Sequence, residues 1–311
     1  TLLLGRTLLG LPFQIFSTFV LEEHFGFNRT TGRIFAIDLV KSLILTVVLG
    51  GPLVAAVLWL FERAGNAAWL YCWMVSSVFL LVLIVAFPRW IMPLFNRFEP
   101  LGEGELRDAI SAYAENTGFA LADVFVIDGS RRSSRSNAFF TGFGRTKRIA
   151  LYDTLVENHS VKELVAILAH EVGHYAKGHI KKGLILSILH NGLVFFLLSI
   201  VLDHRGLFEA FKMQHMSIYA GLVFFALLYS PVELILSLFL NLMARKHEFE
   251  ADRFAAETTG TPAAMISALK KLSADNLSNL TPHPFYVFLN HSHPPLSQRV
   301  AALRGLGTAS A

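Results

Sequence analysis

The sequence predicts an α-helical integral membrane protein in which a polar region of helices and a small β-sheet lies at the cytoplasmic membrane boundary. Of its 311 residues, 53% are hydrophobic and only 16% are charged, whereas soluble domains of this length are less apolar and more charged. The mean hydropathy is +0.50. Apolar stretches occur in two closely spaced pairs, at 42–61 with 68–88 and at 183–202 with 217–240, and only the last of them contains a charged residue, Glu233.

Each of these stretches reaches the length of about twenty residues that a helix needs to cross a bilayer. The first contains Gly50-Gly51-Pro52, which favours a kink or a close helix contact. The shorter apolar segment Arg6–Leu21 is interpreted as the end of a further span, because the chain opens at Thr1 rather than at Met.

The stretches divide the chain into four parts. They are an N-terminal membrane region at 1–88, a polar region at 89–182, a membrane hairpin at 183–244 and a polar C-terminal segment at 245–311. Two hairpins place both polar parts on one side of the membrane. Basic residues crowd the span ends on that side, so the positive-inside rule predicts that it is cytoplasmic, in a bacterial inner membrane or an endoplasmic reticulum membrane. This pattern suits membrane topology and gives no reason to expect nucleic acid as a partner.

The polar region is predicted to mix helices and strands. A surface helix at Leu101–Asn116 precedes strands at Val124–Ile127, Asn137–Gly142 and Arg148–Tyr152, the last two joined by a Gly-rich turn. Arg131–Ser136, a basic segment of small residues, is typical of a loop. A further helix is predicted to begin after Ser160, with Glu163 completing a capping box.

That helix carries His170-Glu171-Val172-Gly173-His174, the HExxH pattern of zinc peptidases. Residues four apart share one helix face, so both imidazoles can bind a single metal ion. Glu171 can reach a water molecule on that metal and take its proton. The pattern also arises by chance, in which case His170 and His174 would be ordinary histidines of an amphipathic helix.

A zinc peptidase needs a third protein ligand. The segment that follows the fourth apolar stretch, Arg245-Lys246-His247-Glu248-Phe249-Glu250-Ala251-Asp252, returns to the side of His170. Glu248 and Glu250 both qualify by chemistry, but at about 100° per residue Glu248 continues the polar stripe of the preceding span, whereas Glu250 points elsewhere. Asp252, one turn later, can accept a hydrogen bond from a ligand imidazole.

Other polar residues allow two interpretations each. The third apolar stretch is predicted to continue the helix of His170 without a break, so His179 would point about 180° away from it, as a surface or packing residue. His247 is expected to be structural. Glu233, costly in hydrocarbon, either faces a hydrated cavity or pairs with a neighbouring helix. His293 could donate to the oxyanion of a tetrahedral intermediate, although the residues alone favour an ordinary loop histidine.

Taken together, the motifs resemble the type I CAAX prenyl proteases, which are integral-membrane zinc endopeptidases. The resemblance covers nearly the whole chain. It is carried by Glu22–Thr31, Pro93–Phe98, Asp128–Ser133, Ser136–Phe140, Lys147–Ile149, Tyr152–Leu155, His170–His174, Glu248–Asp252 and His293–Leu296.

The resemblance implies a ring of seven helical spans around a water-filled chamber and one Zn²⁺ per chain. It implies His170, His174 and Glu248 as zinc ligands and Glu171 as the catalytic base, with Asp252 behind the ligands. His293 becomes a contact of the substrate or the transition state. The resemblance also implies contacts to the substrate. A strand binds the peptide backbone as an added strand, and its residues are Asn137, Ala138, Phe139 and Phe140. Arg299 is the implied supporting contact.

The expected substrate is a peptide that ends in a prenylated Cys-a-a-X sequence and loses its last three residues. Membrane lipid is the other expected partner. The alternative is a zinc endopeptidase of membrane-protein quality control that does not depend on prenylation. A catalytically idle scaffold would have no need of Glu171, and a transporter predicts paired repeats, which the sequence does not show.

Overall fold

The computed structural model describes residues 2–119, 121, 123–141 and 148–308. Within them the chain is mainly helical. The helices of the first half are α1 (Leu2–Phe16), α2 (Gly32–Leu45), α3 (Gly51–Arg63), α4 (Ala68–Ala86), α5 (Met92–Phe95) and α6 (Glu105–Thr117). Those of the second half are α7 (Asp153–Asn158), α8 (Val161–Ala176), α9 (His179–Asp203), α10 (Arg205–Ala210), α11 (Ile218–Thr259), α12 (Pro262–Asp275), α13 (Pro284–Asn290) and α14 (Leu296–Thr308).

Long apolar helices confirm the predicted membrane class. In the described residues, four stretches could cross a membrane by length and composition: Gly32–Arg63, Gly65–Phe95, His179–Asp203 and Ile218–Thr259, with a shorter apolar helix at Thr7–Glu22. In the most apolar part of each stretch, at most 11% of the residues are buried inside the protein. Since their outward side chains are apolar and their backbone bonds are internal, these helices suit a lipid surrounding.

The first of these stretches differs in its bounds from the uncharged residues 42–61. It begins at Gly32, because Thr31 caps the helix by accepting a hydrogen bond from Ile34 N at 3.3 Å. The irregularity predicted at Gly50-Gly51-Pro52 takes the form of a widened helical turn at Thr46–Gly50. Pro52 explains it, since proline has no N–H to donate to the preceding turn.

The sheet has four strands in the order β1 (Phe98–Pro100), β2 (Asp123–Ile127), β4 (Arg148–Tyr152), β3 (Ala138–Thr141). β2 and β4 are parallel, and the two outer pairs are antiparallel. The three strands predicted in this region are confirmed, whereas the Gly-rich turn at 142–147 lies outside the described residues. Because β3 is an edge strand, one side of its backbone is available for another strand.

The helix that carries the HExxH pattern, α8, is anchored at its start. Ser160 N donates to Glu163 Oε2 at 2.8 Å, and Glu163 N donates to Ser160 Oγ at 3.4 Å, so the predicted capping box is confirmed. Glu163 also accepts hydrogen bonds from Ser267 Oγ at 2.6 Å and Lys271 Nζ at 2.7 Å. A buried carboxylate therefore joins α8 to α12.

The core of the polar part forms around α8. It includes Leu168 of α8, Ile149 of β4, Ala255 of α11, Ala268 of α12 and Leu303 of α14, all nearly inaccessible to solvent. Burying such side chains contributes about 25 cal/mol per Å² of apolar area. The same core therefore fixes α8 against the C-terminal part of α11, which follows the apolar part of that long helix.

α8 and α9 are two helices, so the prediction of one continuous helix is wrong. α8 ends at Ala176, and Gly178 has φ +70° before α9 begins at His179. Glycine adopts this left-handed conformation without the steric cost of a Cβ atom and is the usual residue just after a helix end. The break changes the direction of the chain directly beside the HExxH pattern.

Candidate metal centre

Three side chains converge where α8 packs against α11. The ligand atoms of His170 and His174 on α8 and of Glu248 on α11 all lie within 4.8 Å of one another. The two Nε2 atoms are 3.1 Å apart. Glu248 Oε1 is 3.3 Å from His174 Nε2, and Glu248 Oε2 is 3.6 Å from His170 Nε2. Two nitrogens and a carboxylate on one face form a donor set that can bind a divalent metal.

A glycine allows α8 and α11 to approach closely at this point. A Cβ atom on Gly173 would lie 3.1 Å from Ala251 Cα and 3.2 Å from Ala251 O. Contacts this short are tighter than ordinary van der Waals packing, so a side chain here would force the helices apart. The HExxH pattern leaves this position variable, and nothing else in the sequence marks Gly173 as a helix contact.

The ring of His170 contacts the side chains behind it. His170 Nδ1 lies 2.9 Å from Asp252 Oδ1, and both residues are buried. Arg299 of α14 donates to both Asp252 oxygens, at 2.7 and 2.6 Å, and its Nη1 is 3.3 Å from Glu248 Oε2. Such contacts hold a ligand imidazole in one orientation. The guanidinium of Arg299 is engaged with these carboxylates, and its expected contact with a substrate stays a prediction.

A different group lies behind His174. His179 Nδ1 is 3.1 Å from His174 Nδ1, and His179 Nε2 is 2.9 Å from Glu250 Oε2. The rings of His179 and His247 are stacked, with centroids 3.9 Å apart. The prediction that His179 points away from the HExxH histidines is therefore wrong, because the break at Gly178 resets the helical phase. Glu250 points away from the three converging side chains, as predicted, but supports this second group.

Glu171 lies beside the two imidazoles and is mostly buried. Burial raises the pKa of its carboxyl group more than the neighbouring His170 and His174 lower it, so the net pKa is above the ordinary value. Its position next to His170 follows from the sequence of the helix.

His293, in the turn before α14, lies at the open side of the three converging side chains. Its Nε2 is 3.5 Å from Glu248 Oε1, its Nδ1 is 3.0 Å from Ser292 Oγ, and its side chain is 68% exposed. The sequence position alone did not place this loop near the HExxH helix. Because the side chain is mostly exposed, its ring is accessible to a bound molecule.

The expected substrate-binding strand lies at the edge of the sheet and packs against α8. Ala138 pairs with Leu151 and Phe139 with Ala150 of β4, and the backbone of Phe140 pairs with Ile149. Asn137 precedes the strand and accepts a hydrogen bond from Tyr152 N at 3.0 Å through its carbonyl oxygen. The opposite backbone edge of β3 is the one that another strand could use.

Glu233 pairs with a neighbouring helix, which was one of its two interpretations. Its Oε2 lies 3.0 Å from His190 Nε2 of α9. The same nitrogen is 2.7 Å from the hydroxyl of Tyr229. Polar side chains inside a membrane-spanning helix usually find such partners. The pair links α9 to α11.

Two family models together match nearly the whole chain. Peptidase family M48 matches residues 100–306. The model described as CAAX prenyl protease N-terminal, five membrane helices, matches residues 1–97. All the side chains of the candidate metal centre fall in the first of these matches.

Curated relatives and a solved structure show the same likeness. The CAAX prenyl protease 1 homolog of Oryza sativa subsp. japonica is 40% identical over 94% of this chain and 69% of that protein. CAAX prenyl protease 1 of Saccharomyces cerevisiae is 37% identical over 96% and 69%. The crystal structure of S. mikatae Ste24p superposes with a TM-score of 0.91 at 37% identity, covering 97% of this chain and 74% of that one. The chain therefore belongs to peptidase family M48 and to the CAAX prenyl proteases within it, and it is an integral-membrane metallopeptidase.

Proposed function

We propose that the metal is one Zn²⁺ ion held by His170, His174 and Glu248. The observation that carries this proposal is the convergence of their ligand atoms within 4.8 Å. In a tetrahedral zinc site with bonds of about 2.0–2.1 Å, neighbouring ligand atoms are about 3.3 Å apart. The distances of 3.1 Å between the two Nε2 atoms and 3.3 Å from His174 Nε2 to Glu248 Oε1 fit that spacing, and the distance of 3.6 Å from His170 Nε2 to Glu248 Oε2 is slightly longer.

The chain's own residues then have separate roles in peptide hydrolysis. When bound, Zn²⁺ supplies a Lewis acid that polarises the scissile carbonyl and activates a water molecule. Glu171 takes the proton of the attacking water and passes it to the leaving amine, a role that its place directly after the ligand His170 supports. His293, exposed on the open side, donates a hydrogen bond to the developing oxyanion.

The side chains behind the ligands keep this geometry. Asp252 orients the ring of His170, and Arg299 holds Asp252 through two hydrogen bonds. A fixed imidazole needs no reorganisation during the reaction, which favours both metal binding and catalysis.

The peptide binds as an added strand on the free edge of β3. The segment Asn137, Ala138, Phe139 and Phe140 provides the hydrogen bonds through the backbone groups that face away from β4, since the Asn137 carbonyl already accepts from Tyr152 N. α8 next to β3 brings the peptide to the ligands. Arg299 is at most a supporting contact, since its guanidinium already serves Asp252.

The substrate we propose is a C-terminal Cys-a-a-X peptide with a prenylated cysteine, from which the last three residues are removed. The names of the curated relatives support it. We place the release on the cytoplasmic side, a proposal that the basic residues at the span ends support. The functional parts would be the membrane region 1–88, the polar region 89–182, the hairpin 183–244 and the C-terminal segment 245–311.

The test compares two peptides of one sequence, a farnesylated and an unmodified Cys-a-a-X peptide, with the purified full chain loaded with zinc. Mass spectrometry of the released tripeptide is the readout. Glu171→Gln removes the proposed base, and Glu157→Gln on the exposed side of α7 is the matched control.

We expect release from the farnesylated peptide by the native chain and by Glu157→Gln, and none by Glu171→Gln. Equal release from both peptides would replace the prenyl substrate by a general membrane endopeptidase activity. Cleavage by Glu171→Gln at the native rate would overturn the proposed mechanism.

A further inference from the structure

A cavity of about 700 Å³ adjoins the beginning of the edge strand β3. Its wall includes Arg135, Ser136 and Asn137, which lead into the strand, together with Glu22 and Asp38 of the N-terminal segment. The function proposed above gives no role to Arg135 or Ser136. The cavity nevertheless lies where a peptide paired with β3 would leave the strand.

Arg135 is the less committed of the two arginines in this cavity. Arg132 makes a bidentate pair with Asp38, at 2.7 and 3.1 Å, which satisfies both charges. Among the described residues the only carboxylate near Arg135 is that of Glu22, at 3.6 Å, too long for a good hydrogen bond. The Arg135 guanidinium also rests on the ring of Phe27, 4.4 Å from its centroid. Arg135 is therefore held in place, while N–H groups of its guanidinium are still available to a ligand.

Ser136 adds a second donor. It is 4% exposed, and its Oγ has no hydrogen-bond partner within the part of the chain that the structure describes. Buried hydroxyl groups almost always make a hydrogen bond. A cavity lined by a guanidinium and by a residue with an unpartnered hydroxyl suits a ligand with two acceptor oxygens and a negative charge, such as a carboxylate.

Strand direction points to the origin of that carboxylate. Antiparallel pairing is the more stable arrangement per residue. A peptide added antiparallel to β3 runs from the Thr141 end towards the Ala138 end, so its C-terminal residues leave the strand beside Asn137 and Ser136. Three extended residues span about 10 Å, close to the length of the four-residue β3. The free end of a substrate that loses three residues would thus reach the cavity.

We propose that Arg135 and Ser136 bind the free α-carboxylate of the C-terminal residue of the peptide substrate. The inference rests on the proposed function and adds a subsite that selects a chain end over an internal bond. Binding of the carboxylate replaces the long contact between Arg135 and Glu22 by a shorter charge-assisted pair.

The experiment uses the farnesylated Cys-a-a-X peptide with a free carboxylate and the same peptide as a C-terminal carboxamide. For each variant of the zinc-loaded full chain, kcat/KM is measured with both. Binding of the two peptides, fluorescently labelled, is measured separately in a Glu171→Gln background, so that affinity does not depend on cleavage. The native chain should prefer the acid by about ten- to a hundredfold, the range for a hydrogen bond to a charged group.

Two substitutions should change this preference in opposite directions. Arg135→Gln should lower the acid-to-amide ratio to about one, mainly through the acid. Glu22→Gln removes the competing carboxylate and should raise the affinity for the acid. Arg131→Gln is the matched control, because Arg131 lies in the same loop, its side chain is 47% exposed against 49% for Arg135, and it does not line the cavity.

The outcomes separate this inference from the proposed function. If the native chain cleaves or binds acid and amide equally well, the carboxylate subsite is wrong and the peptidase proposal stands. A preference for the acid that survives Arg135→Gln would also overturn it. If neither peptide is cleaved but the acid binds more tightly in an Arg135-dependent way, the subsite is supported and the cleavage proposal fails.

Discussion

The Nδ1 atoms of His174 and His179 lie 3.1 Å apart, across the break between α8 and α9. His179 in turn contacts Glu250 at 2.9 Å and stacks on His247. Each HExxH histidine therefore contacts its own supporting pair of side chains. Asp252 with Arg299 supports His170, and His179 with Glu250 supports His174. Both groups depend on α11, which also contributes Glu248.

His179→Gln should weaken metal binding, because the ring of His174 loses the neighbour that orients it. Losses of about 10- to 100-fold in metal affinity are typical when such a partner is removed. Competition for zinc with a chromogenic chelator measures the effect on the purified chain. His215→Gln, at an exposed position in the loop before α11, is the control. Unchanged affinity in His179→Gln would show that the contact does not support His174.

Arg299→Lys should impair the centre although the charge is kept. Lysine cannot reproduce the two parallel hydrogen bonds of 2.7 and 2.6 Å to Asp252. We expect a fall in kcat of about 10- to 100-fold with a smaller change in KM, together with weaker zinc binding. Arg304→Lys, on an exposed face of the same helix, should behave as the native chain. A change in KM alone would instead indicate that Arg299 contacts the substrate.

Gly173→Ala should destabilise the packing of α8 on α11. The added methyl group would meet Ala251 Cα at 3.1 Å and Phe254 Cβ at 3.2 Å, so the backbones must separate. Overpacking of this kind costs about 1–3 kcal/mol, and thermal unfolding in detergent would report it as a lower Tm. Gly183→Ala, where nothing lies within 4 Å of the added atom, should leave Tm unchanged or raise it. Equal Tm values for both variants would contradict the close approach.

Protonation of Glu163 should lower the stability of the folded chain at acidic pH. Burial raises the pKa of Glu163, but the hydrogen bonds from Lys271, Ser267 and Ser160 outweigh burial. The net pKa is about 2, against an ordinary value of 4.5. A carboxyl group with a lowered pKa in the folded state contributes stability above pH 4.5, and this contribution is lost as the pH falls from 4.5 towards 2.

Glu163→Gln removes the titrating group and should flatten that part of the pH profile. The variant should also be less stable at neutral pH by about 1.5–3 kcal/mol, the range for hydrogen bonds to a charged group. Tm measured in steps between pH 7 and the acid limit of solubility would compare the two chains. Parallel profiles for the native chain and Glu163→Gln would refute the assignment to this residue.

Local patterns in the sequence were sufficient for much of the fold. The apolar stretches identify the membrane helices, since length and hydropathy alone decide whether a helix suits a bilayer. The capping box at Ser160 and Glu163 is a contact over three residues, and the four-residue spacing of His170 and His174 places them on one helix face. Glu248 could be singled out over Glu250 because the helical period is regular across α11.

Contacts between distant segments needed the tertiary structure. Lys177-Gly178 is compatible with a helix interior and with a helix end, and packing decides between them; the left-handed turn at Gly178 then brings His179 to His174. The partner of Glu233 is on another helix, His190. The carboxylate of Glu163 reaches Lys271, more than a hundred residues away. The sequence alone thus determined the membrane helices and the candidate ligands, because those depend on composition and helical period. The tertiary structure alone decided which side chains support the ligands, because such contacts join residues whose distance along the chain carries no information about their distance in space.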